Sequence, residues 1–283
     1  MIKAGIIGGA GYTSGELLRI LSNHSNVEID FVFSTSQAGK PLTNAHPDLI
    51  GELDLRFTDT LNPDVNVVFL CLGHGKSKAF LEPNQFASHT RIIDLSNDFR
   101  LKNDKEFQSE NFVYGLPELN KTEISTAKYI ANPGCFATAI QLALLPLASQ
   151  NLLQNDIHIN AVTGSTGAGV QPTQTSHHSW RNSNISHYKA FEHQHLAEIK
   201  ESVNQLQNDF QSDILFIPNR GEFTRGIFAT LYTKTDKKLE ELIEIYQNFY
   251  KSHPFTFVSS ENINLKMAVQ TNKCIISLEK KGD

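Results

Sequence analysis

Cysteine is scarce in this chain, and its scarcity excludes two classes of protein. The 283 residues contain three cysteines, Cys71, Cys135 and Cys274, which stand far apart in the sequence. They are too few and too scattered for a disulfide framework or a zinc cluster, so we expect no bound metal. Unpaired thiols of this kind are typical of proteins from a reducing compartment.

Long apolar runs and an excess of basic charge are also lacking. No stretch reaches the roughly 18 apolar residues of a membrane span, and the chain enters a strand pattern without a charged leader. We therefore expect a cytoplasmic protein with no membrane partner. The formal net charge of −5 argues against a nucleic-acid partner, for which a basic face is needed.

The chain opens on an apolar strand pattern, a glycine-rich turn and a helix pattern. Gly8, Gly11 and Ser14 stand at three-residue spacing in this turn, with Tyr12 and Thr13 between them. Such a turn binds a pyrophosphate, because glycines let the backbone approach and the first helical N–H groups point at the charge. These five residues are therefore candidates for binding a dinucleotide.

An acidic residue is missing at the end of the second predicted strand, where an enzyme that uses NAD usually places one against the ribose 2′-hydroxyl. Ser34, Thr35 and Lys40 stand in this region instead. Hydroxyl groups beside a lysine suit the 2′-phosphate of NADP, so Ser34 and Thr35 are candidates for binding NADP(H). The alternative interpretation is an ordinary serine-rich loop.

The hydrophobic pattern changes character about halfway along the chain. Strands and helices alternate in the first half, which predicts a parallel sheet with helices on both faces. The second half predicts a mixed sheet covered by helices. We therefore expect an α/β protein with a Rossmann-like parallel-sheet domain over 1–134 and an α+β domain with a mixed sheet over 135–283.

The predicted elements follow from these patterns. In the first domain, strands are expected at 3–7, 28–33, 65–72 and 91–94, and helices at 15–22 and 76–86. In the second, strands are expected at 157–163, 213–218, 227–232, 265–270 and 273–278, helices at 195–205 and 239–250, and a long polar loop at 171–189.

Cys135 stands between a sharp turn, Asn132-Pro133-Gly134, and an uninterrupted helix pattern. A thiol at the start of a helix ionises below its ordinary pKa of about 8.5, because the unpaired N–H groups and the helix dipole favour an anion. Cys135 is therefore a candidate nucleophile, and the alternative is a small, buried apolar residue. Cys71 lies in a strand pattern that is apolar on both faces, which predicts a structural role.

A series of motifs runs along nearly the whole chain. They are GGAGYTSGEL at 8–17, DLSNDFR at 94–100, YGLPE at 114–118, NPGC at 132–135, GSTGAG at 164–169, HQH at 193–195, RGI at 225–227 and TNKC at 271–274. In this order they resemble the type 1 N-acetyl-γ-glutamyl-phosphate reductase family.

The chain departs from the family pattern at three places. The family has Tyr-Pro-Thr after the cysteine where this chain has Phe136-Ala137-Thr138, and proline at the position of Ala197. A proline at a helix start is helpful but dispensable. Family members also continue beyond TNKC for a few dozen residues, through a helix that returns to the nucleotide domain. We expect this return helix to be missing from the 283 residues.

The resemblance implies NADPH-dependent reduction of N-acetyl-γ-glutamyl phosphate to N-acetylglutamate 5-semialdehyde, with release of phosphate, in arginine biosynthesis. It implies that Cys135 forms a thioester with the substrate and that His195 acts as acid and base. His193 is implied to contact the substrate. Thr166 and Gly167 are implied to lie near the nicotinamide. Hydride transfer to a thioester needs no metal.

The implied substrate carries anionic groups at both ends, so guanidinium groups are expected in its pocket. Arg100 and Arg225 are the substrate-binding candidates that the resemblance supports, and Arg181 and Arg220 are weaker ones. Each could equally form an ordinary surface ion pair. The resemblance also implies a homodimer or a homotetramer.

Two alternatives stay open on the sequence. One is an enzyme like aspartate-semialdehyde dehydrogenase, which shares the nucleotide fold, the cysteine nucleophile and the acyl-phosphate chemistry. The other is a truncated, non-catalytic relative that binds NADP. For the enzyme, the acyl group on the substrate nitrogen, acetyl or another such as succinyl, is also left open.

Overall fold

The computed structural model describes Met1–Gly282. The contacts within the chain divide it into two compact units. The first unit contains residues 1–116 and 120–133, and the second contains residues 117–119 and 134–283. No helix in the described part of the chain is long and apolar enough to cross a membrane.

The first unit is built on a sheet of seven parallel strands. The order across the sheet is β3-β2-β1-β4-β5-β9-β8, and every neighbouring pair is parallel. The strands are β1 (Ile2–Ile7), β2 (Val27–Phe33), β3 (Phe57–Thr58), β4 (Val67–Leu70), β5 (Arg91–Asp94), β8 (Val113–Tyr114) and β9 (Tyr129–Ala131). A separate hairpin is formed by β6 (Glu106–Phe107) and β7 (Glu110–Asn111).

The helices of this unit are α1 (Tyr12–Ser22), α2 (Ser77–Leu81) and α3 (Pro117–Thr126), the last of which begins in the second unit. The helix predicted over 76–86 is wrong in length, because Pro83 has no N–H group with which to continue it. The carboxylate of Asp98 accepts hydrogen bonds from the backbone N–H groups of Gly75 (2.6 Å) and Ser77 (2.9 Å), and so caps the start of α2.

The second unit contains a mixed sheet of four strands in the order β11-β12-β10-β13. β10 and β12 are parallel, and β11 and β13 run antiparallel to their neighbours. The strands are β10 (Ile157–Thr163), β11 (Ser186–His187), β12 (Ile214–Arg220) and β13 (Ile227–Tyr232). Two further strands, β14 (Thr256–Ser259) and β15 (Cys274–Ser277), form a parallel pair. The α/β fold class is confirmed.

One face of this mixed sheet is covered by helices. The helices of the unit are α4 (Cys135–Ala148), α5 (His178–Arg181), α6 (His195–Leu206) and α7 (Leu239–Tyr250). Phe136 and Ile140 of α4 pack with Ile199 of α6 and Phe216 of β12 in one buried core. The core fixes the first turn of α4 and the first turn of α6 to the same body, which positions Cys135 and His195.

Two predictions about irregular segments are wrong. Residues 265–270, predicted as a strand, begin with a 3-10 helix at Leu265–Met267, because the side chain of Asn264 accepts a hydrogen bond from the N–H of Lys266 and caps a helical turn. The loop predicted at 171–189 contains α5 and β11. Arg181 holds them together, since its buried guanidinium donates to the carbonyl of Thr175 and to the hydroxyl of Ser186.

Candidate active site

The thiol of Cys135 lies exposed at the first position of α4. Gly134 before it has an extended backbone (φ −66°, ψ 150°), so the chain turns sharply into the helix there. The other two thiols lie in different surroundings: burial raises the pKa of Cys71 to about 12 and that of Cys274 to about 11. Those two side chains are held in the neutral form, which leaves Cys135 as the thiol placed for nucleophilic attack.

His195 and Glu198, both on the first turn of α6, enclose the turn before Cys135. A Cβ atom at residue 134 would overlap the ring of His195, so only glycine fits there. One oxygen of the buried Glu198 carboxylate accepts a hydrogen bond from the N–H of Gly134 (2.9 Å), and the other lies 3.9 Å from His195 Nε2. The glutamate therefore fixes the backbone next to the nucleophile and places a carboxylate beside the imidazole.

Glu198 was missed in the sequence, although a signal was present. It stands three residues after His195 in a helix pattern, so both side chains share one helix face. What the sequence could not supply is the contact with Gly134, 64 positions earlier in the chain. The structure brings Cys135, Gly134, His195 and Glu198 together in one unit.

His193 lies among aromatic rings, between those of Phe136, Tyr188 and Phe216. Burial lowers its pKa to about 4, and the charge of Lys189 acts in the same direction. Its Nδ1 accepts a hydrogen bond from the backbone N–H of His195 (3.2 Å), so its ring is neutral and supports the start of α6. The substrate contact expected of His193 stays a prediction.

Arg100 is buried in the first unit. Its guanidinium donates to the carbonyl oxygens of Asn132 (2.9 Å) and Leu95 (3.0 Å). The N–H of Asn132 in turn donates to the carbonyl of Asp94 (2.7 Å). Arg100 therefore shapes the backbone that leads towards Pro133, and its role in binding substrate stays a prediction.

Arg225 lies next to the loop that contains Thr166 and Gly167. The N–H and the hydroxyl of Thr166 both donate to the carbonyl of Thr224, at 3.1 and 2.6 Å. A Cβ at Gly164 would overlap the same carbonyl, so this loop must approach the 224–225 backbone closely. The side chain of Arg225 is part-buried. The predicted contacts with substrate and nicotinamide stay predictions.

The glycine turn of the first unit has the shape that a pyrophosphate needs. Gly8 has φ +78°, and a Cβ at Gly9 would overlap Val32 of β2. Tyr12 and Thr13 are exposed at the start of α1, whereas Ser14 is buried and its hydroxyl donates to the carbonyl of Gly11 (2.8 Å). The Ser14 side chain therefore stabilises the turn, while the first backbone N–H groups of α1 are the ones that can bind a phosphate.

His46, which the sequence did not single out, supports this turn. Its Nε2 lies 2.7 Å from the carbonyl oxygen of Gly9, and its ring packs where a Cβ at Gly15 would stand. The side chain is buried. His46 stands 37 positions after Gly9 in the chain, in a segment whose pattern gave no signal of this contact.

The end of β2 carries hydroxyl groups and nearby basic residues. Ser34 is buried, with its hydroxyl 3.5 Å from that of Ser36, and Thr35 and Lys40 are exposed. Arg56, also missed in the sequence, reaches this loop and donates to the carbonyl of Gly39 (2.8 Å). The loop that follows β2 therefore contains Lys40 and is contacted by Arg56, and it follows the strand end at which dinucleotide folds bind a ribose 2′-substituent.

Metal ligands do not gather anywhere in residues 1–282: no group of three or more His, Cys, Asp or Glu side chains could hold an ion. His177 precedes α5, and His178 is its first residue. The His177 ring caps this helix by accepting a hydrogen bond from the N–H of Ser179. The site is therefore built from a thiol, an imidazole and a carboxylate.

Comparison with known sequences places both units in one family. Residues 3–127 match the semialdehyde dehydrogenase NAD binding domain, and residues 135–283 match the semialdehyde dehydrogenase dimerisation domain. The chain is 68% identical to the N-acetyl-gamma-glutamyl-phosphate reductase of Flavobacterium johnsoniae and 57% identical to that of Bacteroides thetaiotaomicron, covering 100% of this chain and 87% of each relative.

Comparison with solved structures shows the same fold. Aspartate semialdehyde dehydrogenase II from Vibrio cholerae superposes with a TM-score of 0.70 at 15% identity, over 98% of this chain and 88% of that one. Aspartate semialdehyde dehydrogenase with NADP from Candida albicans superposes with a TM-score of 0.63 at 13% identity, over 94% and 85%. The chain belongs to the semialdehyde dehydrogenase family and, within it, to the N-acetyl-γ-glutamyl-phosphate reductases.

Proposed function

We propose that this chain reduces N-acetyl-γ-glutamyl phosphate to N-acetylglutamate 5-semialdehyde with NADPH, releasing phosphate, as a step of arginine biosynthesis. The observation that carries this proposal is the exposed Cys135 thiol at the start of α4, with His195 and Glu198 against the preceding residue. The 68% identity to a reductase of that name supports the choice of substrate.

The dinucleotide is held by residues 1–134, and the covalent chemistry takes place on residues 135–283. The residues that would hold NADP are Gly8, Gly11, Tyr12, Thr13, Ser14, Ser34 and Thr35, and Thr166 and Gly167 would contact the nicotinamide. The glycine turn, where a Cβ at Gly9 would overlap Val32, and the basic residues at the loop after β2 fit a dinucleotide with a 2′-phosphate. NADPH supplies the hydride that reduces the acyl carbon.

Cys135 reacts first. Its thiolate attacks the acyl carbon of the acyl phosphate, the bond from that carbon to the phosphate oxygen breaks, and inorganic phosphate leaves with the bonding electron pair. The product is a thioester on Cys135. A thiolate suits this step because the dipole and the first N–H groups of α4 stabilise its charge.

His195 then handles the proton. After reduction of the thioester carbon, His195 donates a proton to the oxygen that has gained negative charge. It takes that proton back as the C–S bond breaks and the aldehyde forms. The carboxylate of Glu198, 3.9 Å from Nε2, stabilises the imidazole when it carries the proton. Arg100, Arg225 and His193 bind the substrate.

We further propose that the enzyme is a cytoplasmic homodimer or homotetramer with no nucleic-acid or membrane partner. The match of residues 135–283 to a dimerisation domain supports self-association. The uncovered face of the mixed sheet supports it too, since Phe228 and Tyr232 of β13 are exposed there.

The proposal is tested by running the reaction backwards. The purified chain should oxidise N-acetylglutamate semialdehyde in a reaction that requires both NADP⁺ and inorganic phosphate, followed by NADPH absorbance. Aspartate semialdehyde is the control substrate and should react far more slowly. A preference for aspartate semialdehyde, or turnover without phosphate, would contradict the proposed reaction.

A further inference from the structure

Arg220 ends strand β12 at the carboxyl edge of the mixed sheet. It pairs with Thr163 of the parallel strand β10 on one side and with Ser186 of β11 on the other. The loop that begins at Gly164 starts directly beside it. Ligands of α/β proteins commonly bind where parallel strands end, so a bound group is expected at the position of Arg220.

The Arg220 guanidinium packs over an aromatic ring, and the described residues place no carboxylate in an ion pair with it. Its Cζ lies 4.8 Å from the centre of the Tyr188 ring. Within residues 1–282 its Nε is buried without a hydrogen-bond partner, and a buried donor left unpaired is destabilising. The side chain as a whole is only part-buried. The cation is therefore held in place while part of it stays open to a ligand.

Tyr188 connects Arg220 to the nucleophile. Burial raises the pKa of the Tyr188 hydroxyl, the charge of Arg220 lowers it, and the charge of Cys135 raises it. The geometry leads in the same direction, because Phe136, the residue after Cys135, packs edge-on against His193 with 5.5 Å between ring centres. The Tyr188 ring also packs edge-on against His193, with 5.8 Å between ring centres. Arg220 therefore belongs to the surroundings of the thiol.

The neighbouring Arg181 has a structural role, and its hydrogen bonds differ from those of Arg220. Arg181 is 4% exposed, and its guanidinium donates to the carbonyls of Thr175, Asn184 and Arg220 and to the Ser186 hydroxyl. Its donors are used to fix the backbone that carries Arg220. In the described chain the Arg220 guanidinium has a hydrogen bond with the Tyr188 hydroxyl, while its buried Nε has no partner.

We propose that Arg220, braced by Tyr188, binds one oxyanion of the substrate beside Cys135, either the phosphate or a carboxylate. Both groups match the planar fork of a guanidinium. This substrate-binding role rests on the proposed reductase activity, and it adds a third arginine to Arg100 and Arg225. In the reverse reaction these two oxyanions belong to different reactants. One is inorganic phosphate, and the other is the carboxylate of the semialdehyde.

The test compares Arg220→Gln, Arg220→Lys and Tyr188→Phe with the wild-type chain in the reverse reaction. Lys234→Gln is the matched control, since it removes one exposed cation from the same unit. We expect Arg220→Gln to raise one KM by at least about tenfold, as loss of a charged hydrogen bond predicts, with kcat within about threefold. A raised KM for phosphate identifies the phosphate, and a raised KM for the semialdehyde identifies a carboxylate. Arg220→Lys should recover part of the loss.

Unchanged values of both KM in Arg220→Gln would overturn the proposal. A binding measurement keeps it testable without turnover: inorganic phosphate or N-acetylglutamate should raise the melting temperature of the wild type, and one of these shifts should disappear in Arg220→Gln. If the wild type shows the shift but no turnover, the proposed reaction fails and the anion site stands. Equal shifts in both proteins would remove the site. A normal increase of the melting temperature with NADP confirms that Arg220→Gln is folded. If Arg220→Gln lacks this increase, the same KM and melting comparisons are made with Arg220→Lys, and they then test the proposal.

Discussion

At the scale of single residues, the three cysteines show how position decides reactivity. Cys71 and Cys274 are held neutral by burial, with pKa values of about 12 and 11. Cys135 lies exposed at a helix start, where the backbone N–H groups stabilise a negative charge. Identical side chains thus differ in chemistry because their backbones differ.

We expect Cys135→Ser to abolish turnover while leaving NADP affinity nearly unchanged. A serine hydroxyl fills almost the same space, but it is not ionised near neutral pH and is a weak nucleophile. Turnover is followed by NADPH absorbance and affinity by fluorescence titration. Cys274→Ser is the control and should keep its activity, because that thiol is part-buried outside the candidate site and has a pKa of about 11. Substantial activity in Cys135→Ser would remove this residue from the mechanism.

Substitutions of the two neighbouring histidines, His193 and His195, should lower kcat by different amounts. We expect His195→Asn to lower kcat by roughly 10²–10⁴, the usual contribution of a general acid and base. His193→Asn should change kcat less, because a pKa of about 4 makes the His193 imidazole too weak a base to take up a proton near neutral pH. Steady-state rates of both variants decide. A larger loss of kcat in His193→Asn would reverse the two roles.

At the scale of secondary-structure elements, α4 contains a proline that the helix has to accommodate. Pro146 has no N–H group, so the carbonyl of Leu142, four residues earlier, loses its usual helical partner. The hydroxyl of Tyr250 on α7 donates to that carbonyl, and the hydroxyl of Tyr246 donates to the carbonyl of Ala143. Helix α7 therefore supplies the hydrogen bond that the sequence of α4 removes.

We expect Tyr250→Phe to destabilise the protein by about 1–3 kcal/mol, the cost of a buried polar group without a partner. In a Pro146→Ala background the same change should cost clearly less, since an alanine in place of the proline restores the backbone N–H that bonds the carbonyl of Leu142. Chemical denaturation of the four proteins gives the coupling energy. Equal costs in the two backgrounds would mean that the Tyr250 hydroxyl does not replace the N–H group that Pro146 lacks.

The loop after β2 should determine the choice of cofactor. With Ser34, Thr35 and two cations at the strand end and no carboxylate, NADPH should be preferred over NADH by at least about tenfold, or about 1.4 kcal/mol. Thr35→Asp should lower this preference at least about tenfold, because a carboxylate repels the 2′-phosphate and can bind the 2′-hydroxyl. The measurement is kcat/KM with each dinucleotide. Thr60→Asp adds a charge at another exposed position and should leave the ratio unchanged.

At the scale of the whole molecule, the sequence predicted the two sheets but missed the contacts between residues that are far apart in the chain. Alternating apolar patterns predicted the parallel sheet and the mixed sheet, because each pattern is local to its own strand. The contacts of Glu198 with Gly134 and of His46 with Gly9 join positions 64 and 37 residues apart. The hydrophobic periodicity of a sequence carries no information about contacts between residues so far apart in the chain. The strand predicted over 265–270 failed for a local reason, the cap supplied by Asn264.

Stability of the whole molecule should depend on pH through His193. Its pKa is about 4 in the folded chain, below the ordinary 6.5, because burial disfavours the charged ring. Between these two values the unfolded chain binds a proton that the folded chain does not, so the free energy of unfolding falls as pH is lowered from about 6.5 towards about 4.

We expect this loss to be on the order of 1 kcal/mol between pH 7 and pH 5, which corresponds to about 2–4 °C in Tm. His193→Asn keeps an acceptor for the N–H of His195 but does not titrate, so its Tm should fall less over the same interval. His187→Asn, at an exposed position of β11, should behave like the wild type. The measurement is Tm by calorimetry at both pH values. If His193→Asn and the wild type lose the same number of degrees, the buried imidazole takes up its proton in the folded chain, and His193 then becomes available for proton transfer beside Cys135.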